Sequence, residues 1–131
     1  MQDIPPDITG EYELLVEERH TAAALGNTGM AVFGTPFVVL IIEQAAALAV
    51  WPYLQDGEGV AGTHIDLRHL APTAVGRRAR AQVRLRERAG RRLRFDCVVT
   101  SGGKVVAEGI YESAVVDLAR ILATAEEQPP G

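Results

Sequence analysis

The chain has 131 residues, 47% of them hydrophobic and 23% charged, and a formal net charge of −4. This length and apolar content suit one ordinary domain with a real core, and the negative charge disfavours nucleic acid as the main partner. Uninterrupted apolar runs such as Pro36 to Ile42 are far shorter than the roughly 20 residues that a membrane span needs.

The cysteine content and the first residues indicate where the protein works. The single cysteine, Cys97, excludes an intramolecular disulfide, and the chain opens with Met-Gln-Asp-Ile-Pro-Pro rather than with a basic and then apolar leader. We therefore expect a cytoplasmic protein. It should form one domain over residues 1–131, with flexible termini at about 1–10 and 126–131.

The first part of the chain predicts a strand, a loop and a helix. Glu11 to Glu18 alternates like a strand, with Tyr12, Leu14 and Val16 on one face. A loop of small residues follows and contains the turn Gly26-Asn27-Thr28-Gly29.

A helix should begin at Thr35-Pro36, because a threonine can cap free backbone amides and a proline fits the first helical position. From Pro36 to Val50 the sequence is apolar all round apart from Glu43 and Gln44, so protein should enclose this helix on most sides. Trp51-Pro52-Tyr53-Leu54 ends the helix.

The rest of the chain alternates with a period of two residues, as strands of a half-buried antiparallel sheet do. Three stretches each place alternate residues on one face: Thr63, Ile65, Leu67 and His69; Ala79, Ala81, Val83 and Leu85; and Leu93, Phe95, Cys97 and Val99. Turns at Ala89-Gly90 and Ser101-Gly102-Gly103 lead into the third stretch and then into a last strand from Lys104 to about Val116. A short helix near Asp117 to Ala125 follows.

One strand, one buried helix and a run of antiparallel strands make an α+β fold in which the sheet wraps the helix, which is the hotdog plan. A two-layer domain of this size leaves one side of the helix and one sheet edge uncovered. We therefore expect a homodimer.

Glu43 is the most informative residue, because an ionised carboxylate inside an apolar helix costs several kcal/mol unless it is paired or used. One interpretation is a buried glutamate that is hydrogen-bonded to a partner or lies at a dimer interface. The other is a general base or nucleophile at a site where a substrate carbonyl can approach. Both interpretations predict that Glu43 is buried.

Thr35 and His69 are the other candidate catalytic residues. Thr35 is either only a helix cap or a group that reaches the same ligand as Glu43, which follows about 12 Å further along the helix. Free amides at a helix N-terminus also suit an oxyanion formed in acyl transfer. His69 is either a hydrogen-bonded core histidine or a partner of Glu43 in catalysis. Together the three residues suggest acyl transfer to water.

The remaining polar residues are weaker candidates. Cys97 alternates with Phe95 and Val99 and is expected in the core. His20 and His64 fall out of phase with the apolar faces and are expected to be exposed. No spacing of His, Cys and carboxylates resembles a zinc site, and the chain has no glycine-rich phosphate loop or nucleophile elbow. The sequence therefore predicts neither a metal nor a cofactor.

Nine of the twelve arginines lie between Arg77 and Arg94. Such a run is typical of the solvated face of strands. The alternative is a patch that binds the phosphates of a nucleotide-bearing substrate such as coenzyme A, because guanidinium groups match phosphate geometry.

From about Tyr12 to Leu118 the sequence resembles the fluoroacetyl-CoA thioesterase family of the hotdog superfamily. The densest stretch of the resemblance is Thr35 to Thr73. It contains Thr35-Pro36-Phe37, Glu43, Pro52-Tyr53-Leu54-Gln55-Asp56-Gly57-Glu58-Gly59, Gly62-Thr63 and His69-Leu70-Ala71-Pro72-Thr73, and Gly90-Arg91-Arg92-Leu93 continues it.

The resemblance implies hydrolysis of an acyl-CoA to free acid and coenzyme A, with Thr35, Glu43 and His69 as the catalytic residues. Glu43 would attack the thioester or activate water, and Thr35 would position the carboxylate or the substrate. His69 would polarise the thioester carbonyl or aid proton transfer. Whether an acyl-enzyme forms stays open, because both routes need the same three side chains.

The resemblance also suggests how the substrate binds. It maps a glycine whose backbone helps to hold the substrate onto Gly62, and we expect Phe33, Gly34 and Pro36 to line the same site. Members selective for fluoroacetyl-CoA carry a longer lid with phenylalanines, whereas Thr21 to Thr35 is shorter here and has Phe33 alone. We therefore expect a small or short-chain acyl-CoA in a more open pocket.

Two other functions fit the same fold. An acyl-thioester dehydratase or hydratase would also use a histidine and a carboxylate near a helix N-terminus, although the spacing of Thr35 and Glu43 favours hydrolysis. A non-catalytic acyl-CoA-binding module would keep the pocket without needing Glu43.

Overall fold

The structure is a computed structural model that describes all residues from Met1 to Gly131. Its elements are β1 (Thr9–Leu15), α1 (Thr35–Val50), β2 (Glu58–His69), β3 (Arg78–Ala89), β4 (Arg92–Ser101), β5 (Lys104–Asp117) and α2 (Leu118–Glu126), with short 3-10 turns at Glu18–His20, Ala23–Leu25 and Trp51–Tyr53. The strands form one antiparallel sheet in the order β1-β3-β4-β5-β2, and α1 packs on it. The predicted α+β hotdog fold is confirmed.

Helix α1 covers one face of the sheet and packs mainly against β1 and β3. Its buried residues are Val38, Ile41, Ile42, Ala45, Ala46, Ala49 and Val50. Small residues allow a close approach between the two layers. At Gly10 of β1, a Cβ atom would overlap the carbonyl oxygen of Ala45, so only glycine fits at that position.

The predicted apolar faces of β3 and β4 are confirmed. Ala79, Ala81, Val83, Leu85, Leu93, Phe95, Cys97 and Val99 are all buried. Burial raises the pKa of the Cys97 thiol to about 11. The last helix begins where predicted, and the Asp117 carboxylate caps it by accepting a 3.0 Å hydrogen bond from the Arg120 amide.

The other side of α1 has no cover in the single chain. Leu40 and Leu48 are 39% and 54% exposed, and Trp51 just beyond the helix is 72% exposed. Glu43 lies on this side and is exposed, so the prediction that it is buried is wrong for the single chain. The physical reason is that one sheet can cover only one side of a helix. We call the side of α1 formed by Leu40, Glu43, Gln44 and Leu48 the open side.

Helix α1 and the 3-10 turn after it, Thr35–Tyr53, are long and apolar enough to cross a membrane by length and composition alone. The core helix of a globular domain has the same composition. The residues of α1 that face the sheet are buried within this chain, which is the arrangement of a core helix.

Two predictions for the N-terminal part are wrong. Strand β1 ends at Leu15, and the 3-10 turn at Glu18–His20 follows it. This turn rotates His20 inward, so that His20 is buried rather than exposed. Its Nδ1 accepts a 3.0 Å hydrogen bond from the Glu17 amide, and its ring lies edge-on to Phe37 at 5.2 Å. His64 is exposed, as predicted.

The two termini differ from each other. The N-terminal residues, which were expected to be flexible, pack against the domain, because Ile4 is buried and the Gln2 amide donates to the Tyr53 carbonyl. At the other end, residues 127–131 are exposed beyond α2.

Candidate active site

The N-terminus of α1 meets the end of β2. Thr35 is the first residue of the helix and His69 is the last residue of the strand. Thr35 Oγ1 and His69 Nδ1 are hydrogen-bonded at 2.8 Å. Thr35 is exposed and His69 is half-buried. The fold therefore brings two of the three predicted catalytic residues together where a substrate can reach them.

Thr35 does not cap the helix. Gly34 is the N-cap residue, and no side chain caps this end of α1. The Gly34 amide donates a 2.9 Å hydrogen bond to the His20 carbonyl, so the buried His20 turn fixes the backbone just before Thr35. The Thr35 hydroxyl is thereby left for its bond with His69.

The first turn of α1 offers fewer free amides than the sequence predicts. The amides of Phe37 and Val38 both donate to the Gly34 carbonyl, and Pro36 has no N–H. This leaves the Thr35 amide as the backbone donor at the helix N-terminus. An oxyanion there would need a second donor from a side chain.

His69 can supply that second donor. When the Thr35 hydroxyl donates to Nδ1, the neutral imidazole carries its proton on Nε2. Nε2 is buried and bonds to no protein atom. A buried N–H without an acceptor costs about 1–3 kcal/mol, so this atom is suited to an oxygen of a ligand.

Glu43 lies two turns after Thr35 on the same helix, and its carboxylate is close to β2 at Gly62. A Cβ atom on Gly62 would lie 3.4 Å from Glu43 Oε1 and 2.7 Å from Tyr111 Oη. The pairing of β2 with β5 is irregular just after Gly62. No hydrogen bond joins Glu43 to Thr35 or His69. The site therefore has two parts along one helix, the Thr35–His69 pair and the Glu43–Gly62 contact.

Tyr111 of β5 belongs to this second part, although the sequence did not single it out. It is 5% exposed, and its ring centroid lies 6.5 Å from that of Phe95. Burial and then the negative charge of Glu43 raise the pKa of Tyr111 to about 12. An aromatic residue in a strand usually belongs to the core, which hides it in the sequence. The only signal was its hydroxyl, which lies on the same buried face of β5 as the hydroxyl of Ser113.

The three residues expected to line the substrate site lie in different environments. Phe33 is 1% exposed, so its side chain packs in the core. Gly34 is also buried, and a Cβ atom there would come within 3.2 Å of the Ala22 nitrogen. Pro36 is exposed beside Thr35. Of these three, only Pro36 presents a side chain at the surface.

The arginines between Arg77 and Arg94 lie along β3, β4 and the turns at their ends. Five of the nine form ion pairs: Arg80–Glu11, Arg86–Asp96, Arg88–Asp3, Arg91–Glu58 and Arg94–Glu112. Apart from Arg91–Glu58, in which the Glu58 side chain is 9% exposed, these pairs are exposed and contribute little to stability. The other four, Arg77, Arg78, Arg84 and Arg92, are exposed and form no ion pair, so their charges are available to an anion.

Comparison with known proteins identifies the family. The family described as fluoroacetyl-CoA-specific thioesterase matches residues 16–119. The fluoroacetyl-CoA thioesterase of Streptantibioticus cattleyicolor is 35% identical over 99 residues, which are 76% of this chain and 71% of that protein.

Solved structures agree with this assignment. A mutant of the fluoroacetyl-CoA-specific thioesterase FlK superposes with a TM-score of 0.92 and 27% identity over 98% of this chain and 100% of that one. A complex of that mutant with fluoroacetate and CoA superposes with a TM-score of 0.87 and 30% identity over 92% of this chain and 98% of that one. A thioesterase superfamily member from Thermus thermophilus superposes with a TM-score of 0.88 and 26% identity over 96% of this chain and 93% of that one. The chain therefore belongs to the fluoroacetyl-CoA-specific thioesterase family.

Proposed function

We propose that this protein hydrolyses the thioester of a small or short-chain acyl-CoA to free acid and coenzyme A. The observation that carries the proposal is the Thr35–His69 hydrogen bond at the start of α1, with Glu43 and Gly62 two turns further along, in a chain of this family. A dehydratase or a binding module would fit the fold, but no feature of the site favours either one.

The site divides the chemistry between its two parts. The thioester carbonyl accepts hydrogen bonds from His69 Nε2 and the Thr35 amide, which stabilise the charge that develops on its oxygen. The side chain of Glu43 leans back toward the helix N-terminus. Its carboxylate either takes a proton from the water that attacks the carbonyl carbon, or attacks that carbon itself to form an anhydride that water then hydrolyses. In both routes the carbon–sulfur bond breaks, and the proton that the departing thiolate takes is balanced by the proton that the attacking water loses.

The segment from Thr21 to Thr35 supports a small acyl group in an open pocket. Leu25 and Met30 are 52% and 47% exposed, so this segment does not bury its own apolar side chains over the site. Two isolated bridges, Thr21 with Phe33 and Val32 with Ala74, hold its ends. The four unpaired arginines supply positive charge for the phosphates of coenzyme A.

The open side of α1 supports a homodimer. A second copy placed there would cover Leu40, Leu48 and Trp51, whose exposure leaves an apolar surface in the single chain. It would also remove water from around Glu43, which strengthens electrostatic interactions at the site. We propose that this dimer works in the cytoplasm, without nucleic acid or a membrane as partner.

The proposal is tested with a panel of acyl-CoAs that runs from acetyl and fluoroacetyl to medium-chain and phenylacetyl. Release of free thiol is followed for each, and hydration of crotonyl-CoA and binding of acetyl-CoA are measured in parallel. We expect thiol release, fastest with the small acyl groups. Hydration of crotonyl-CoA without thiol release would indicate a hydratase, and binding without either reaction would indicate a binding module.

A further inference from the structure

Three groups from three elements converge at one point beside β2. These are the Tyr111 hydroxyl from β5, the Glu43 carboxylate from α1 and the backbone of Gly62. The point where Gly62 would carry a Cβ atom lies 2.7 Å from Tyr111 Oη and 3.4 Å from Glu43 Oε1. The two oxygens therefore lie within about 6 Å of each other, the sum of those distances. The two side chains form no direct hydrogen bond, and one bridging water can join oxygens that lie about 5–6 Å apart.

We propose that Tyr111 is a positioning residue for Glu43. Its hydroxyl donates a hydrogen bond to one water, which donates to the Glu43 carboxylate and holds that carboxylate against β2 at Gly62. The inference deepens the proposed function and rests on it, because it assigns a second residue to the group that acts on the thioester.

The chemistry of the two groups fixes the direction of the hydrogen bond. With a pKa of about 12, the Tyr111 hydroxyl keeps its proton at neutral pH and is available as a donor. An ionised carboxylate only accepts, and a hydrogen bond to a charged acceptor is stronger than one between neutral groups. The Tyr111 hydroxyl is therefore at the donor end of the contact and the Glu43 carboxylate at the acceptor end.

Positioning is needed because Glu43 lies on the open side of α1. A glutamate there samples several rotamers, and each rotamer points the carboxylate in a different direction. Tyr111 does not share this freedom, because it is 5% exposed and its ring packs beside Phe95. A rigid donor from the sheet can thus select one direction for a mobile acceptor on the helix.

The glycine at position 62 agrees with this arrangement. Gly62 does not have a positive φ angle, so its backbone conformation does not require glycine. A Cβ atom would instead collide with the Tyr111 hydroxyl at 2.7 Å. Gly62 therefore provides the space through which the hydroxyl reaches Glu43.

The test begins with Tyr111→Phe, which keeps the ring and removes the donor. We expect kcat for thiol release to fall about tenfold with KM nearly unchanged, because the misplaced group acts in the reaction rather than in binding. Tyr12→Phe, on the half-buried Tyr12 of β1, is the matched control and should change neither quantity.

A double-mutant cycle separates positioning from packing. Gly62→Ala should lower kcat in the wild-type background by displacing the hydroxyl, and it should lower kcat much less when Tyr111 is already phenylalanine. Equal losses in the two backgrounds would mean that Gly62 is required for another reason and would count against the inference.

A measurement that does not depend on turnover tests this inference separately from the proposed function. The carboxyl carbon of Glu43 is followed by NMR at neutral pH in the wild-type protein and in Tyr111→Phe. We expect its chemical shift to move in the variant, because the carboxylate loses the contact that the hydroxyl supplies. An unchanged signal would overturn the role of Tyr111 even in a protein that hydrolyses acyl-CoAs. A changed signal in a protein without thioesterase activity would uphold the contact and refute the proposed function alone.

Discussion

The two sides of α1 differ sharply. The side that faces the sheet consists of aliphatic residues that are at most 8% exposed, whereas the open side carries Glu43, Gln44 and two exposed leucines. Both sides occur on one sixteen-residue helix. A helix that is apolar apart from Glu43 and Gln44 thus serves two purposes. One side packs on the sheet, and the other presents a carboxylate beside a strand.

This difference shows that the stability of the fold and the chemistry of the site depend on different sides of α1. Burial of the sheet-facing side supplies hydrophobic free energy that does not depend on the identity of residue 43. The reacting groups lie where the sheet gives no cover, at the helix start and along the open side. Substitutions on the sheet-facing side should therefore change mainly the free energy of unfolding. Substitutions on the open side should change mainly turnover.

The largest effect on stability is expected from Ile41→Ala. Ile41 is fully buried against the sheet, and loss of a buried isoleucine side chain lowers the free energy of unfolding by about 2–5 kcal/mol. Urea denaturation measures the loss, and kcat of the protein that remains folded should be little changed. Leu40→Ala, one residue away on the open side, should lower stability clearly less. Equal losses would show that the open side is as well packed as the sheet-facing side.

A smaller effect is expected from Thr35→Val, which keeps the shape of the side chain and removes the hydroxyl that bonds to His69. Without that bond the imidazole loses its orientation, and kcat should fall about tenfold, which corresponds to about 1.4 kcal/mol. Thr35→Ser retains the hydroxyl and should keep most of the activity. A serine variant as slow as the valine variant would contradict a role for the hydrogen bond.

The smallest effect is a loss of stability at alkaline pH that is caused by Cys97. This residue is buried in β4 of the sheet. The folded thiol has a pKa of about 11, above its ordinary value of 9.0. Between these values the unfolded chain loses the proton and the folded chain keeps it, so the free energy of unfolding falls as the pH rises. From about pH 8 to about pH 10 the wild-type protein should lose about 1 kcal/mol more than Cys97→Ala. An identical loss in both proteins would refute this account.

Much of the fold could be predicted from the sequence because its signals are local. Period-two alternation predicted the buried faces of β3 and β4, and glycine-containing turns predicted the two hairpins. His20 was missed because a single 3-10 turn after β1 reverses the direction of its side chain. The exposure of Glu43 could not be predicted, since it depends on which side of α1 the sheet leaves uncovered.

The candidate site was predictable only in part. The resemblance and the spacing pointed to Thr35 and His69, and the fold brings them into contact. The N-cap position that the sequence allowed for Thr35 is occupied instead by Gly34, which has no capping side chain, because the N-cap position depends on the backbone angles before the helix. Tyr111 was missed because its nearness to Glu43 comes from the pairing of β5 with β2, which no local pattern encodes.

The most direct test of the central claim is thiol release by Glu43→Gln, measured together with its free energy of unfolding. We predict that kcat/KM falls about a thousandfold or more, since an amide can neither accept the proton nor attack the thioester. Stability should stay within about 0.5 kcal/mol of the wild type, as expected for an exposed position. Glu108→Gln, on an exposed glutamate of β5, is the control and should be fully active. Turnover retained in Glu43→Gln would contradict the claim that the open side of α1 carries the chemistry.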